Sequence, residues 1–188
     1  FAIDVDNGGV VEEHPIGCRE FTATPDHATG KIWVATNHGL YQPGHLLLSW
    51  DPVTGELTSH GFPSVSGQRF AGAPFIGSEG NIYIGSHPHG HLFCYNSVEG
   101  IWKNCGCQAP DPIITGQHIW CYPRYESTNG EIVCSITRDP AAQVAFNPKT
   151  NQTRTISEDL PKKTFPASPV SRDIKAQFRL EPNYYVDG

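Results

Sequence analysis

Three copies of one short phrase constrain this 188-residue chain more than anything else in it. GKIWVATNHG begins at Gly30, GNIYIGSHPHG at Gly80 and GEIVCSITRD at Gly130, so successive copies stand 50 residues apart. A second phrase closes each unit, WDPVTGEL at Trp50 and FNPKTNQT at Phe146, with its counterpart at Tyr95. Within a unit, short apolar runs alternate with Gly, Pro, Asp and Asn clusters, which reads as short antiparallel strands. A further strand precedes each phrase, over 20–24, 70–76 and 119–125. A period of roughly 40 to 50 residues with four strands per unit is the pattern of a β-propeller blade.

The expected fold is therefore all-β, with about three and a half four-stranded blades from a larger, seven-bladed ring. Residues 1–18 read as the end of a preceding blade. Blades follow over 19–67, 68–116 and 117–160, and 161–188 reads as a loop and the first strand of another. Three and a half blades leave open edges, so the expected partners include the remaining blades, from a longer chain or a second one. Composition fits many short strands: 19 Gly and 16 Pro supply turns, and only 17% of residues are charged. A net charge of −6 argues against a nucleic-acid backbone as partner. No apolar stretch is long enough to span a bilayer as a helix, so no membrane partner is expected.

Six cysteines point to an oxidising compartment. If Val98 faces Ile101 across the Glu99–Gly100 turn, Cys94 falls opposite Cys105. Cys121 and Cys134 lie within one or two residues of facing each other around Thr128–Asn129. The expected disulfides are thus Cys94–Cys105 and Cys121–Cys134, with Cys18 and Cys107 left over; six cysteines allow 15 connectivities, and some of these residues can equally be buried thiols. Asn151-Gln152-Thr153 fits an N-glycosylation acceptor at a turn. The expected localisation is secreted.

In a propeller, the loops between blades open on the same side as the turns between second and third strands. Six of the nine histidines fall in those segments. They hold His38, Tyr41, Gln68, Arg69, His87, His89, His91, Gln117, His118 and Arg138. The opposite side receives ordinary turn residues. Gly67-Gln68-Arg69 and Gly116-Gln117-His118 occupy equivalent places, and 20 residues separate both Arg69 from His89 and His118 from Arg138. Each blade can so present one Arg and one His. His87, His89 and His91 alternate as strand neighbours on one face would, which suits a divalent metal, whereas Pro88 and Gly90 mark a turn that scatters them. No cofactor is required by any motif.

With histidines crowding one side, the units GNIYIGSHPHGHLFCYN and GKIWVATNHG resemble the secreted β-propeller polysaccharide lyases that cleave uronic-acid-containing glycans, of the ulvan lyase and rhamnose–glucuronate lyase type. The resemblance implies β-elimination: a cation neutralises the uronate carboxylate, and His or Tyr serves as base and acid. The His pair those enzymes take from one blade is here Arg69 with His89 and His118 with Arg138, which leaves the base unassigned.

The residues support that chemistry independently. Removing a carbon-bound proton near neutrality suits imidazole, and a developing enolate wants fixed positive donors. His118 and His89 are the expected proton carriers, with Tyr122 and His87 in reserve and Arg69 acting on the carboxylate. Arg138, His38, Gln68, Gln117 and Tyr41 are expected to bind an acidic polysaccharide. Two other classes stay open: a non-catalytic propeller that binds glycan or protein, with Tyr41, Phe70 and Trp120 as platforms, and a metal-dependent propeller lactonase or lyase.

Overall fold

A computed structural model describes residues 2–3, 10–12, 18–39, 46–63, 65, 67–109, 118–137 and 141–164, without the side chains of 2–3, 10–12, 18–21 and 37–39. The described chain is all β apart from one 3-10 turn at Ser78–Gly80. β1 (Ala2–Ile3) and β2 (Val10–Glu12) form an antiparallel pair. Sheet one then comprises β3 (Cys18–Pro25), β4 (Ile32–Gly39), β5 (Leu47–Trp50) and β6 (Leu57–Ser59). Sheet two comprises β7 (Arg69–Ile76), β8 (Asn81–His87), β9 (His91–Asn96) and β10 (Ile101–Cys107). Sheet three comprises β11 (Trp120–Glu126), β12 (Ile132–Thr137), β13 (Ala142–Asn147) and β14 (Gln152–Ile156). Each is a four-stranded antiparallel meander whose spatial order follows the sequence.

The 50-residue repeat has a backbone cause. Gly30, Gly80 and Gly130 all hold a positive φ, between 72° and 79°, in the turn joining first and second strands. That region costs a side chain energy that glycine avoids. The closing phrases are a second repeated device. Asp51, Asn96 and Asn147 each turn a side-chain oxygen onto the backbone N–H two residues on, at 2.9 Å every time. The turn ends on a left-handed residue, Gly55, Gly100 or Asn151, whose N–H donates back to the carbonyl of the starting residue at 2.8 Å.

The sheets meet through their early strands: β7 touches both β3 and β4, and β11 touches both β7 and β8. Thr22 and Thr24 of β3 donate their hydroxyls to the Gly72 and Pro74 carbonyls of β7, at 2.8 and 2.7 Å. Between sheets one and two lies a core of Trp33, Leu47, Phe70, Ile82, Ile84, Phe93 and Tyr95. Between sheets two and three lies another, with Tyr83, Leu92, Cys94 and Cys105 facing Cys121, Cys134, Ile136 and Phe146. Each Leu, Ile or Phe so buried contributes roughly 1.5–3 kcal/mol. The far face of sheet three buries Val133, Ala145 and Ile156 partly beneath Leu160, in a segment that crosses that face. There Leu160 N–H donates to the Tyr125 hydroxyl at 3.1 Å, and Lys163 N–H to the Glu126 carbonyl at 2.8 Å.

The cysteine expectations change. The hairpin after β9 has four loop residues, so Ile101 pairs with Asn96 and Cys94 faces Lys103, two positions short of Cys105. Cys121 faces Ile136 while Cys134 faces Pro123, again two apart. Such diagonal neighbours lie about 7–8 Å apart, beyond the usual Cα separation of a disulfide. Cys94, Cys105, Cys121 and Cys134 are buried free thiols. Cys134 Sγ donates to the Ile132 carbonyl at 3.9 Å. Asn151 is exposed at its turn and occupies the left-handed position that Gly55 and Gly100 fill elsewhere.

Candidate functional site

Arg69 opens β7 and His87 ends β8, and the ladder between these strands sets them directly opposite each other. From His87 the chain turns through a cis His87–Pro88 peptide and Gly90, whose φ is 63°. This turn is clasped from two sides. Ile119 N–H donates to the Pro88 carbonyl at 2.7 Å, and Gln108 N–H to the Gly90 carbonyl at 2.9 Å. His89 consequently forms a parallel bridge with Ile119, next to His118. Gly90 must be glycine here twice over, because a Cβ would also come within 2.6 Å of Ile119 Cγ2.

Arg69, His87, His89 and His118 are thereby gathered at one end of sheets two and three. Arg69, His89 and His118 are exposed. His87 is not: it keeps 8% of its surface and stacks on Trp120, centroids 3.8 Å apart and planes 14° apart. Trp120 is in turn parallel to Tyr122, at 6.2 Å and 6°. Burial raises the Tyr122 pKa, with Arg124 opposing, so the hydroxyl stays protonated at neutral pH.

Several expected roles shift. Gln68 is 4% exposed, and its Oε1 accepts the Ser86 hydroxyl at 2.7 Å, which makes it a tie between β7 and β8 instead of a substrate contact. The three alternating histidines diverge: His87 lies under Trp120, and His91 Nδ1 sits 3.2 Å from Asn104 Oδ1. Among the described residues no group of three His, Cys, Asp or Glu is arranged to hold a metal ion. Phe70 is buried between sheets and not available as a platform. Arg138, Gln117 and Tyr41, and the side chain of His38, lie outside the described residues.

The opposite end has a different character. Asp26, Asp51, Glu79, Glu99 and Glu126 all lie in or beside its turns. A cavity of about 270 Å³ opens there, lined by Ser78, Tyr83, Glu126, Asn147 and Lys149 among others. Glu126, 3% exposed, accepts Ser78 N–H at 2.7 Å, the Ser78 hydroxyl at 2.8 Å and Lys163 Nζ at 2.8 Å. Burial works against its charge, yet these donors outweigh it and hold the carboxyl below its ordinary value. A carboxylate so fully engaged is a clasp between sheets two and three, and the chemistry-bearing groups remain at the histidine end.

Among the described residues no helix is long and apolar enough to cross a membrane. No protein-family model matches this chain, and no curated protein matches it either.

Proposed function

We propose that the three sheets are consecutive blades of a β-propeller, and that the histidine end is the glycan-cleaving mouth of a secreted lyase acting on a uronic-acid-containing polysaccharide. One observation carries the reading: Arg69 opposite His87, and His89 bridged beside His118, bring a guanidinium and two exposed imidazoles from two sheets to one edge. Arg69 neutralises the uronate carboxylate, which makes the neighbouring C5 proton removable. One imidazole, of His118 or His89, takes that proton. The C4–O bond then breaks, a C4–C5 double bond forms, and the other imidazole returns a proton to the leaving oxygen. Tyr122 suits the donor's role better than the base's, since its raised pKa keeps the hydroxyl protonated. His87 supports Trp120 rather than meeting substrate.

The remaining blades come from the rest of a longer chain or from a second copy. A second reading, a glycan-binding propeller without catalysis, draws on the Trp120–Tyr122 stack, since parallel aromatic faces are good sugar platforms. The two separate cleanly: a lyase gives a bell-shaped pH–rate profile, a binding module gives saturation without product.

The test replaces His118 and His89 with Ala, one at a time, and follows unsaturated-sugar absorbance on a glucuronate-containing polysaccharide. Each loss should reach about 10²–10⁴-fold, as removal of a general acid or base does. Full activity in both variants would dismiss this pair.

A further inference from the structure

We propose that Arg124 selects an acidic sugar at a subsite beside the histidines, holding the carboxylate of a uronate other than the one Arg69 neutralises while that sugar's ring lies along Trp120 and Tyr122. The proposal rests on the acidic-glycan reading above and assigns its specificity. Trp120, Tyr122 and Arg124 take alternate positions on β11, opposite in sense to Cys121 and Pro123, which are buried. Trp120 and Tyr122 so share a face, and Arg124, the extra residue of a β-bulge between Pro123 and Tyr125, returns its guanidinium to that face beside the Tyr122 ring. The face is open: Trp120 and Tyr122 are half-buried and Arg124 is exposed. The platform is fixed from beneath. His87 backs Trp120, and Tyr122 lies against Gly72 of β7, where a Cβ would come within 2.8 Å of its Cδ1.

Arg124 is held in a particular pose. Its Nε donates to Ser135 Oγ at 3.1 Å, and its Cζ stands 5.7 Å from the centre of the Tyr122 ring. Ser135 pairs with Tyr122 in the β11–β12 ladder, so anchor and platform belong to one register. With Nε committed, the edge formed by the two Nη nitrogens is the edge presented, and that fork matches a carboxylate. No carboxylate among the described residues pairs with Arg124, whereas Arg154 is already engaged by Glu131 at 2.7 Å. A guanidinium immobilised before binding loses little side-chain freedom when it captures its anion. The arrangement therefore takes a hexuronate, its ring on the aromatic row and its carboxylate on Arg124. Ser135 is the positioning residue.

The experiment titrates a glucuronate-containing oligosaccharide, and the same oligosaccharide after carboxyl reduction to the neutral sugar, against the whole protein by calorimetry. The unsubstituted protein should prefer the acidic form by about tenfold or more, the range for a charge-assisted hydrogen-bonded pair. Arg124→Gln should lower that preference several-fold by weakening the acidic form alone, the share due to Arg69 remaining, while Ser135→Ala removes a smaller part. Trp120→Ala should weaken both oligosaccharides alike. Should Arg124→Gln fail to fold, Ser135→Ala carries the test through its smaller preference. An undiminished preference in the folded variants overturns the proposal, even where unsaturated product is still formed and the lyase reading stands. A preference that falls in Arg124→Gln without any product sustains the subsite and removes the lyase. Failure of the unsubstituted protein to bind either oligosaccharide overturns both.

Discussion

Gly80 and Gly85 belong to the same repeated phrase and are glycines for different reasons. Gly80 has a φ of 72°, a matter of backbone conformation. Gly85 has no such φ; a Cβ there would land on the Cys121 carbonyl oxygen of the neighbouring sheet. The corresponding positions of the other copies hold Ala35 and Ser135, also small residues. Gly85→Ala should therefore cost about 1–3 kcal/mol or more by forcing sheets two and three apart, read as a lower urea midpoint. An unchanged midpoint would mean that the two sheets do not touch here. The candidate site shows how far single residues were legible. Arg69, His89 and His118 sit exposed at one end because period and polarity together decided their side. His87 shares that polarity but is buried, because only the tertiary fold brings Trp120 over it. From the sequence Arg124, on the same inner strand as Tyr122, reads more readily as a packing residue than as a catalyst, for a comparable reason: its anchor, Ser135, is 11 residues away and its value depends on the pairing of β11 with β12.

At the scale of strands and turns, legibility was high for existence and lower for register. All three strands that precede the repeated phrases occur within two residues of their expected bounds, since alternating apolar residues and flanking turn formers mark them locally. The Cys94 pairing failed on loop length. The Asn96 turn holds four residues, closed by Gly100 N–H on the Asn96 carbonyl, and that displaces every partner beyond it by two. The segment leaving β6 shows what such connections do in packing. His60 follows that strand and joins two sheets, with Nε2 2.8 Å from Ser49 Oγ and Nδ1 2.9 Å from the Tyr95 hydroxyl. Its carbonyl accepts Trp102 Nε1–H at 2.8 Å. Burial, then the charge of Lys31, lowers its pKa from 6.5, so the folded protein favours the neutral ring. The sign follows directly: stability from His60 is complete above the unfolded value and drains as the pH falls through the folded one. Urea midpoints should thus decline on acidification below about pH 6.5, and His60→Gln should flatten part of that slope. A variant with an unaltered slope would assign the acid sensitivity elsewhere.

Over the whole molecule, the two ends of the sheets divide the chemistry. Acidic turns and the Glu126 clasp hold one end together, while exposed imidazoles, Arg69 and the aromatic row occupy the other. That division was readable in outline, because a strict repeat sends successive turns alternately to the two sides. What lay beyond reading was the depth of the surfaces between sheets, which depends on contacts 50 or so residues apart along the chain. Sheets two and three enclose four thiols in this way. Burial pushes Cys94 up to about 11, against the opposing pull of Tyr83 and Lys103, and Cys105 up to about 12. The neighbouring Cys134 thiol, then burial, raises Cys121 as well.

Those thiols amount to a clock. An alkylating reagent needs thiolate and access, and the closed seam denies it both, so each modified sulfur records one parting of the sheets. Labelling of Cys94, Cys105, Cys121 and Cys134 should lag that of exposed Cys107 by orders of magnitude and quicken together in Gly85→Ala. Mass spectrometry of quenched samples would time it, and labelling of all five at one rate would say that the seam never shuts.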